Sequence, residues 1–379
     1  PVNYCQYLVY SLKHNDYDLE GPFKMKKTLF IMLSLVLTVV LAACGNGDSS
    51  KDSGNKDSKD AKYSESNKMK VNTTVFAFQS FADQIGGKYA DVKSIYPPGT
   101  DLHSFEPTQK EIMNISKGDL FIYTDKEMDP AAGKIAKTIK DNKKVLELTK
   151  GLDKNAILPG EEHEHEHEHE HGDHEEGEHH EHGDHEEHGE HEEHGDHEEH
   201  HHHHGKYDPH IWLDPVADKT FAKEIKDEFV KKDPDHKDYY EKNYKKLVQD
   251  ISDVDKELKD VSKNKKRDKV IISHDSLAYL AKRYDFEQEG INGMNNDEPT
   301  QKELMAIVSD IKKEKQPYVL YEQNITSKVT DIIRKETNTK PLPFHNLSVL
   351  TKDESKDKDV TYQSLMKKNI ESLKKALDN

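Results

Sequence analysis

Residues 161–204 contain 19 His, 17 Glu, 3 Asp and 5 Gly, and nothing else. Neutral imidazole and carboxylate both ligate borderline divalent cations, so this composition points to metal capture. The segment has no apolar side chain with which to offset the entropy of ordering, and it reads as a solvated, disordered insert. Acid alone would serve solubility and would not call for so many imidazoles. Six histidines lie outside it: His14, His103, His210, His236, His274 and His345. Three of these stand where strands give way to loops. His103 lies in Pro97-Pro-Gly-Thr-Asp-Leu-His-Ser-Phe-Glu106, after a strand expected over residues 92–96. His210 lies in Asp208-Pro-His-Ile-Trp-Leu-Asp-Pro215, and His274 follows Val270-Ile-Ile-Ser. A fourth candidate, Glu322, ends the run Tyr318-Val-Leu-Tyr321. Taken singly, each has a plain alternative. A histidine at a strand end is commonly a hydrogen-bonded loop residue, and Glu322 could cap a helix starting near Thr326. His236, beside Asp235 and Lys237, reads as surface, and His345, in Pro343-Phe-His-Asn346, reads as structural. Spacing along the chain does not by itself assemble the site.

Positioning such residues needs sheets whose strand ends face one another, and an internal repeat provides the evidence. Glu106-Pro-Thr-Gln-Lys-Glu-Ile-Met-Asn-Ile115 recurs as Glu298-Pro-Thr-Gln-Lys-Glu-Leu-Met-Ala-Ile307, identical at eight of ten positions. In each copy Glu-Pro-Thr opens a helix, with Pro near the first turn and acid nearby. Flanking elements agree. A β-run leading to a helix precedes each copy: Thr74-Val-Phe-Ala-Phe into Phe81-Ala-Asp-Gln-Ile, and Val270-Ile-Ile into Leu277-Ala-Tyr-Leu. Another β-run follows each: Asp119-Leu-Phe-Ile-Tyr123 and Pro317-Tyr-Val-Leu-Tyr321. The fold class expected is therefore α/β, two similar lobes with parallel sheets. In open sheets of this kind ligands bind at the carboxyl ends of the strands, so loops from both lobes can converge on a cleft.

Between the lobes, Tyr240, Tyr244, Leu247, Ile251, Val254, Leu258 and Val261 step by 4 and 3 in alternation. That is a single apolar stripe on a helix of about six turns, a rigid strut against both lobes rather than a coiled-coil seam. A strut restricts wide hinge closure. The domain boundaries expected are residues 67–213 for the first lobe with its insert, 214–266 for the helical linker and 267–379 for the second lobe.

The N-terminal region reads as export and anchoring. Met25-Lys26-Lys27 begins a basic region, residues 29–41 are an apolar run too short to favour a membrane span, and Leu41-Ala42-Ala43-Cys44 follows. Residues 1–24 are expected to be upstream sequence, 25–43 a signal peptide and 44–66 a flexible Lys/Asp/Ser-rich tether. Leu41-Ala42-Ala43-Cys44 resembles the lipobox of bacterial lipoproteins, which implies lipid on Cys44; with Cys5 upstream, the mature chain is then expected to have no disulfide. The His-rich insert carries −20 of a net −18, leaving +2 on the other 335 residues, so no basic domain is present to bind nucleic acid. Lys greatly outnumbers Arg, a composition that points to an AT-rich, Gram-positive source.

These motifs together resemble the metal-binding lipoproteins of ABC importers, the zinc/manganese cluster of solute-binding proteins. The resemblance rests on the lipobox, Pro-Pro-Gly-Thr-Asp-Leu-His-Ser-Phe-Glu-Pro-Thr, His-Ile-Trp-Leu-Asp-Pro, Ser-His-Asp-Ser, Tyr-Glu-Gln-Asn, the linking helix and the His/acid insert. It implies that His103, His210, His274 and Glu322 hold the metal; Asp275 and Glu106, nearby in sequence, are candidates to orient the imidazoles. Manganese members carry Glu and Asp at the third and fourth positions, so the pattern here implies Zn²⁺. Three imidazoles and a carboxylate suit tetrahedral zinc, whereas Mn²⁺ prefers oxygen-rich sites. The partners implied are an ABC permease and its ATPase, and the membrane through the lipid on Cys44. The location implied is the extracellular face of the cell membrane, and the protein is expected to be a monomer. Two readings compete. A zinc hydrolase lacks support, because no His-Glu-x-x-His stands outside the His-rich insert and Glu322 would close the fourth position. In the other, the chain is a surface zinc buffer or adhesin whose His-rich loop is the main binder.

Overall fold

The computed structural model describes residues 61–160, 206–325 and 328–378. The export segment with Cys44 and the His-rich insert lie outside the described residues. Each half of the described chain builds a four-stranded sheet. The first holds β1 (Met69–Thr73), β2 (Ala90–Ser94), β3 (Leu120–Tyr123) and β4 (Val145–Glu147) in the order β2-β1-β3-β4. The second holds β5 (Lys269–His274), β6 (Glu287–Asn292), β7 (Tyr318–Glu322) and β8 (Lys340–Phe344) in the order β6-β5-β7-β8. Every neighbouring pair is parallel. The crossovers are α1 (Phe76–Gly86), α2 (Gln109–Ser116) and α3 (Pro130–Thr138) in the first lobe. Between the lobes run α4 (Pro215–Lys232) and α5 (Lys237–Lys263). The second lobe contains α6 (Ala278–Tyr284), α7 (Gln301–Glu314) and α8 (Lys328–Thr337), and α9 (Tyr362–Asp378) closes the chain. The expected architecture, two like α/β lobes joined by a long helix, is the observed one.

Parallel sheets covered on both faces need apolar side chains on both faces. All four residues of β3 are buried, as are Val270, Ile271 and Ile272 of β5. One face of each sheet joins a shared core: Val71, Leu120 and Ile122 from the first lobe, Val270, Ile272 and Leu320 from the second. The opposite faces make small separate cores, Phe121 with Ile135 in one lobe and Ile271 with Val319 and Ile333 in the other. On α5 the apolar stripe enters the shared core: Tyr240, Leu247, Ile251, Val254 and Leu258 are buried, with Tyr244 and Val261 packed at its edge. A second bridge, not foreseen, is α9. Tyr362 N donates to Ser80 Oγ of α1 at 2.9 Å, and the Tyr362 and Phe81 rings lie 5.0 Å apart.

Two local expectations need correction. Thr74-Val-Phe-Ala-Phe is not a strand: β1 ends at Thr73, Val75 is the N-cap, and Phe76 already belongs to α1. The apolar run resembles a buried strand because Phe76, Ala77, Phe78 and Phe81 are all buried, so this part of α1 lacks the polar face that marks a surface helix. His236 is not a surface residue either. Its Nδ1 lies 2.7 Å from Asp233 Oδ2, and its ring stacks on Tyr89 with centroids 3.6 Å apart.

Candidate metal centre

His103 sits in a short 3-10 turn, residues 102–104, following β2. The turn is fixed by Asp101, whose Oδ1 accepts from His103 N at 3.0 Å and whose Oδ2 accepts from Asn296 Nδ2 of the second lobe at 3.2 Å. His210 precedes the 3-10 turn Ile211–Leu213, which is wholly buried. Asp208 Oδ1 accepts from His210 N at 2.9 Å and from its ring Nδ1 at 2.8 Å. That partner leaves Nε2 as the unprotonated nitrogen of the neutral ring. His210 Nε2 is buried and has no hydrogen-bond partner among the described residues, the condition of a ligand atom aimed into a site. His274 is the last residue of β5.

These three rings, from three separate segments, converge. Ring centroids are 5.6 Å apart for His103 and His210, 5.0 Å for His103 and His274, and 4.9 Å for His210 and His274. One ligand atom from each lies within 4.8 Å of the others. Glu322, expected as the fourth ligand, is not part of that group. It ends β7 fully enclosed, and its oxygens are already taken by protein donors. Oε2 accepts from His274 Nδ1 at 2.8 Å and from Asn346 Nδ2 at 2.8 Å, while Oε1 accepts from Ser276 Oγ. In the structure Glu322 lies against the group, hydrogen-bonded to His274. The carboxylates hydrogen-bonded to these imidazoles are Asp208 and Glu322; Glu106 is exposed, and Asp275 places its charge beside His274.

The electrostatics follow from these contacts. Burial alone would lower His274. The Glu322 carboxylate and the Met294 carbonyl, which accepts from His274 Nε2 at 2.9 Å, outweigh it and lift the imidazole to about 9. Glu322 is also opposed by burial, yet its pairing with His274 and Ser276 holds it below the ordinary carboxylate value. His103 is driven well below its ordinary value by burial and by the two neighbouring imidazoles, so it offers a neutral ring.

Asn346 has a part that reading the sequence missed. Its carbonyl accepts from Trp212 Nε1 at 2.7 Å, two residues from His210, while its amide donates to Glu322. One residue thus joins the supports of two of the three histidines. Its only sequence signal is position, beside His345 in a Pro-Phe-His-Asn run after β8. His345 itself is structural, as expected: Nδ1 accepts from Leu347 N at 2.9 Å.

A two-lobed α/β body with a shared core, a long helix between the lobes and three converging imidazoles defines the class of helix-linked metal-binding proteins. The chain belongs to the ZnuA family, described as zinc-uptake complex component A, periplasmic, whose pattern matches residues 71–376. It is 33% identical over 357 residues to the high-affinity zinc uptake system protein ZnuA of Bacillus subtilis, covering 94% of this chain and 98% of that one. It is 28% identical to the zinc-binding lipoprotein AdcA of Streptococcus pneumoniae over 93% of this chain, spanning 61% of AdcA. Among solved structures, the metal-dependent lipoprotein YcdH of B. subtilis matches with a TM-score of 0.61 at 28% identity, over 82% of this chain and 99% of that one. The Zn(II)-bound ZnuA-like domain of S. pneumoniae AdcA shares the fold, with a TM-score of 0.62 at 24% identity over 82% of this chain and all of that domain.

Proposed function

We propose that the chain captures Zn²⁺ outside the cell and delivers it to an ABC permease driven by its ATPase. The carrying observation is the convergence of His103, His210 and His274, with the buried Nε2 of His210 unpartnered among the described residues. Three imidazoles favour zinc over manganese. Zinc is cargo here, held by the three histidines while Glu322 and Asp208 keep two of the rings aimed. The chain's task is binding and delivery rather than turnover. Lipid on Cys44 holds a monomer at the outer face of a Gram-positive membrane, within reach of the permease. The His-rich segment raises the local metal concentration at the cleft through many fast-exchanging sites. Its flanks support this reading, because Gly160 N donates to Lys206 O at 3.0 Å and Asp208, the partner of His210, follows two residues later.

The test is titration calorimetry with Zn²⁺ and Mn²⁺ on the chain lacking residues 161–204. One tight Zn²⁺ equivalent that disappears in His274→Ala places capture in the cleft. Absence of any tight site would leave the insert as the binder and the chain as a surface buffer.

A further inference from the structure

His210 is aimed by an acid that has little side-chain support of its own. Among the described residues the Asp208 carboxylate is hydrogen-bonded to His210 alone, and its second oxygen, Oδ2, is buried without a partner. A carboxylate placed in this way takes its position from its backbone. That backbone is bonded on both sides: Asp208 N donates to Leu158 O at 3.0 Å, and Asp208 O accepts from the Tyr279 hydroxyl at 2.9 Å. The same hydroxyl accepts from Leu158 N at 3.1 Å, so one oxygen spans both segments that flank the His-rich stretch of the sequence. Tyr279 is buried, and burial together with the Asp208 charge pushes the phenol up, so it keeps the proton it donates.

Tyr279 belongs to α6, the helix that follows β5 and His274. Four residues further along, and so on the same face of the helix, stands Arg283. Its guanidinium forks onto Asp214, Nε to Oδ1 and Nη2 to Oδ2. Asp214 in turn caps α4 by accepting from Val216 N at 2.9 Å. Asp208 and Asp214 bracket His210 in the sequence, with the buried turn Ile211–Leu213 between His210 and Asp214, and one face of α6 grips both. Hydrogen bonds fix direction as well as distance, which apolar contacts at these positions would not.

We infer that this face of α6 is a positioning clamp for His210, with Tyr279 acting through Asp208 and Arg283 through Asp214. Because α6 continues from the strand that ends in His274, one element carries one imidazole and sets the place of another. The 4.9 Å between the centroids of those two rings is then a property of the clamp. This rests on the three-histidine zinc site proposed above.

The test is a double-mutant cycle on the full-length chain, with a chelator fixing the free zinc level. Trp212 fluorescence reads the cleft, since its ring lies 5.5 Å from that of His210. Tyr279→Phe keeps the ring and removes the hydroxyl. Zinc affinity should fall about tenfold in the wild-type background and less than about twofold in Asp208→Asn, where the aim that Tyr279 supports is already lost. Equal losses in the two backgrounds, or no loss in the first, would overturn the assignment, because a role in stability alone lowers both alike. Arg283→Lys, which keeps the charge and loses the fork, is the second variant. Its zinc affinity should fall by at least about threefold while the metal-free chain stays folded, and an unchanged affinity overturns the clamp as well. Failure of the zinc reading shows separately, as a wild-type chain with no tight zinc site.

Discussion

Replacing Glu322 with Gln should remove the pH dependence of zinc binding. His274 donates from Nδ1 to Glu322 and from Nε2 to a backbone carbonyl, so it carries both protons in this arrangement. Zinc can use this ring only by expelling one of them. With His274 lifted to about 9, affinity should rise with pH by about one decade per unit, since the proton competes at every pH below that value. Between pH 7 and 8.5 the gain is roughly thirtyfold, about 2 kcal/mol. In Glu322→Gln the largest contributions lifting His274 are gone, and burial, the largest of all, is left to oppose only the Met294 carbonyl and the Asp275 charge, so affinity should be nearly flat over that window. Above pH 9, where proton competition no longer matters, the variant should bind about 10–100-fold more weakly, the usual cost of losing a partner that aims a metal ligand. The assay uses the chain lacking residues 161–204, whose flanking residues are already hydrogen-bonded to each other. A competing chelator sets the zinc level. Trp212, the chain's single tryptophan, reports binding because its ring lies 5.5 Å from that of His210. Calorimetry in buffers of different ionisation enthalpy should count about one proton released per zinc at pH 7 in the wild type and none in the variant. A flat wild-type profile, or a variant that keeps the slope, would refute the assignment of Glu322 as the acid that charges and aims His274.

Three further outcomes follow from other contacts. Asp208→Asn should cost about 10–100-fold in zinc affinity, since Asp208 Oδ1 fixes both the backbone and the ring of His210; chelator competition reads it, and an unchanged affinity would show the ring is held by other means. Gly290→Ala should lower stability by about 1–3 kcal/mol and weaken zinc binding, because a Cβ there meets the Asp275 backbone at 2.7–2.8 Å, next to His274; denaturant unfolding alongside zinc titration checks both. Asp129 is buried and, chiefly through desolvation, pushed up to about 6, so its ionisation opposes folding as pH rises from about 4 to about 6. Asp129→Asn should therefore be more stable at pH 7 by up to about 3 kcal/mol and lose that advantage by pH 4. Melting curves across pH test this, and a pH-independent difference would contradict it.

Much of the architecture could be read from pattern. The repeated Glu-Pro-Thr-Gln-Lys-Glu marks the corresponding helix of each lobe, and the 4-3 stripe of α5 is buried as its period implies. Three site histidines were found because strand ends are local features with local signals. The hydrogen-bond partners of Glu322 could not be found this way. A carboxylate at a strand end looks the same whether it faces a metal or a neighbouring imidazole, and the donors that occupy it come from residues 274, 276 and 346. Asn346 was hidden for the same reason. Its meaning lies in two bonds to residues 24 and 134 positions away. The misread Thr74–Phe78 run failed differently, because α1 starts in the core and lacks the polar face by which a helix is usually recognised.

The bridge between Pro159 and Tyr207 makes the His-rich segment a cassette. It leaves and rejoins the body at one point, where Gly160 and Asp208 are bonded back to Lys206 and Leu158. Closing a chain between fixed ends costs only about 0.6 kcal/mol more for each doubling of its length. The number of histidines can therefore be halved, doubled or exchanged for another ligand chemistry with almost no effect on the stability of the lobes. Metal-gathering capacity and metal-holding geometry are independently adjustable in this chain, and swapping the cassette is the simplest route to retuning it.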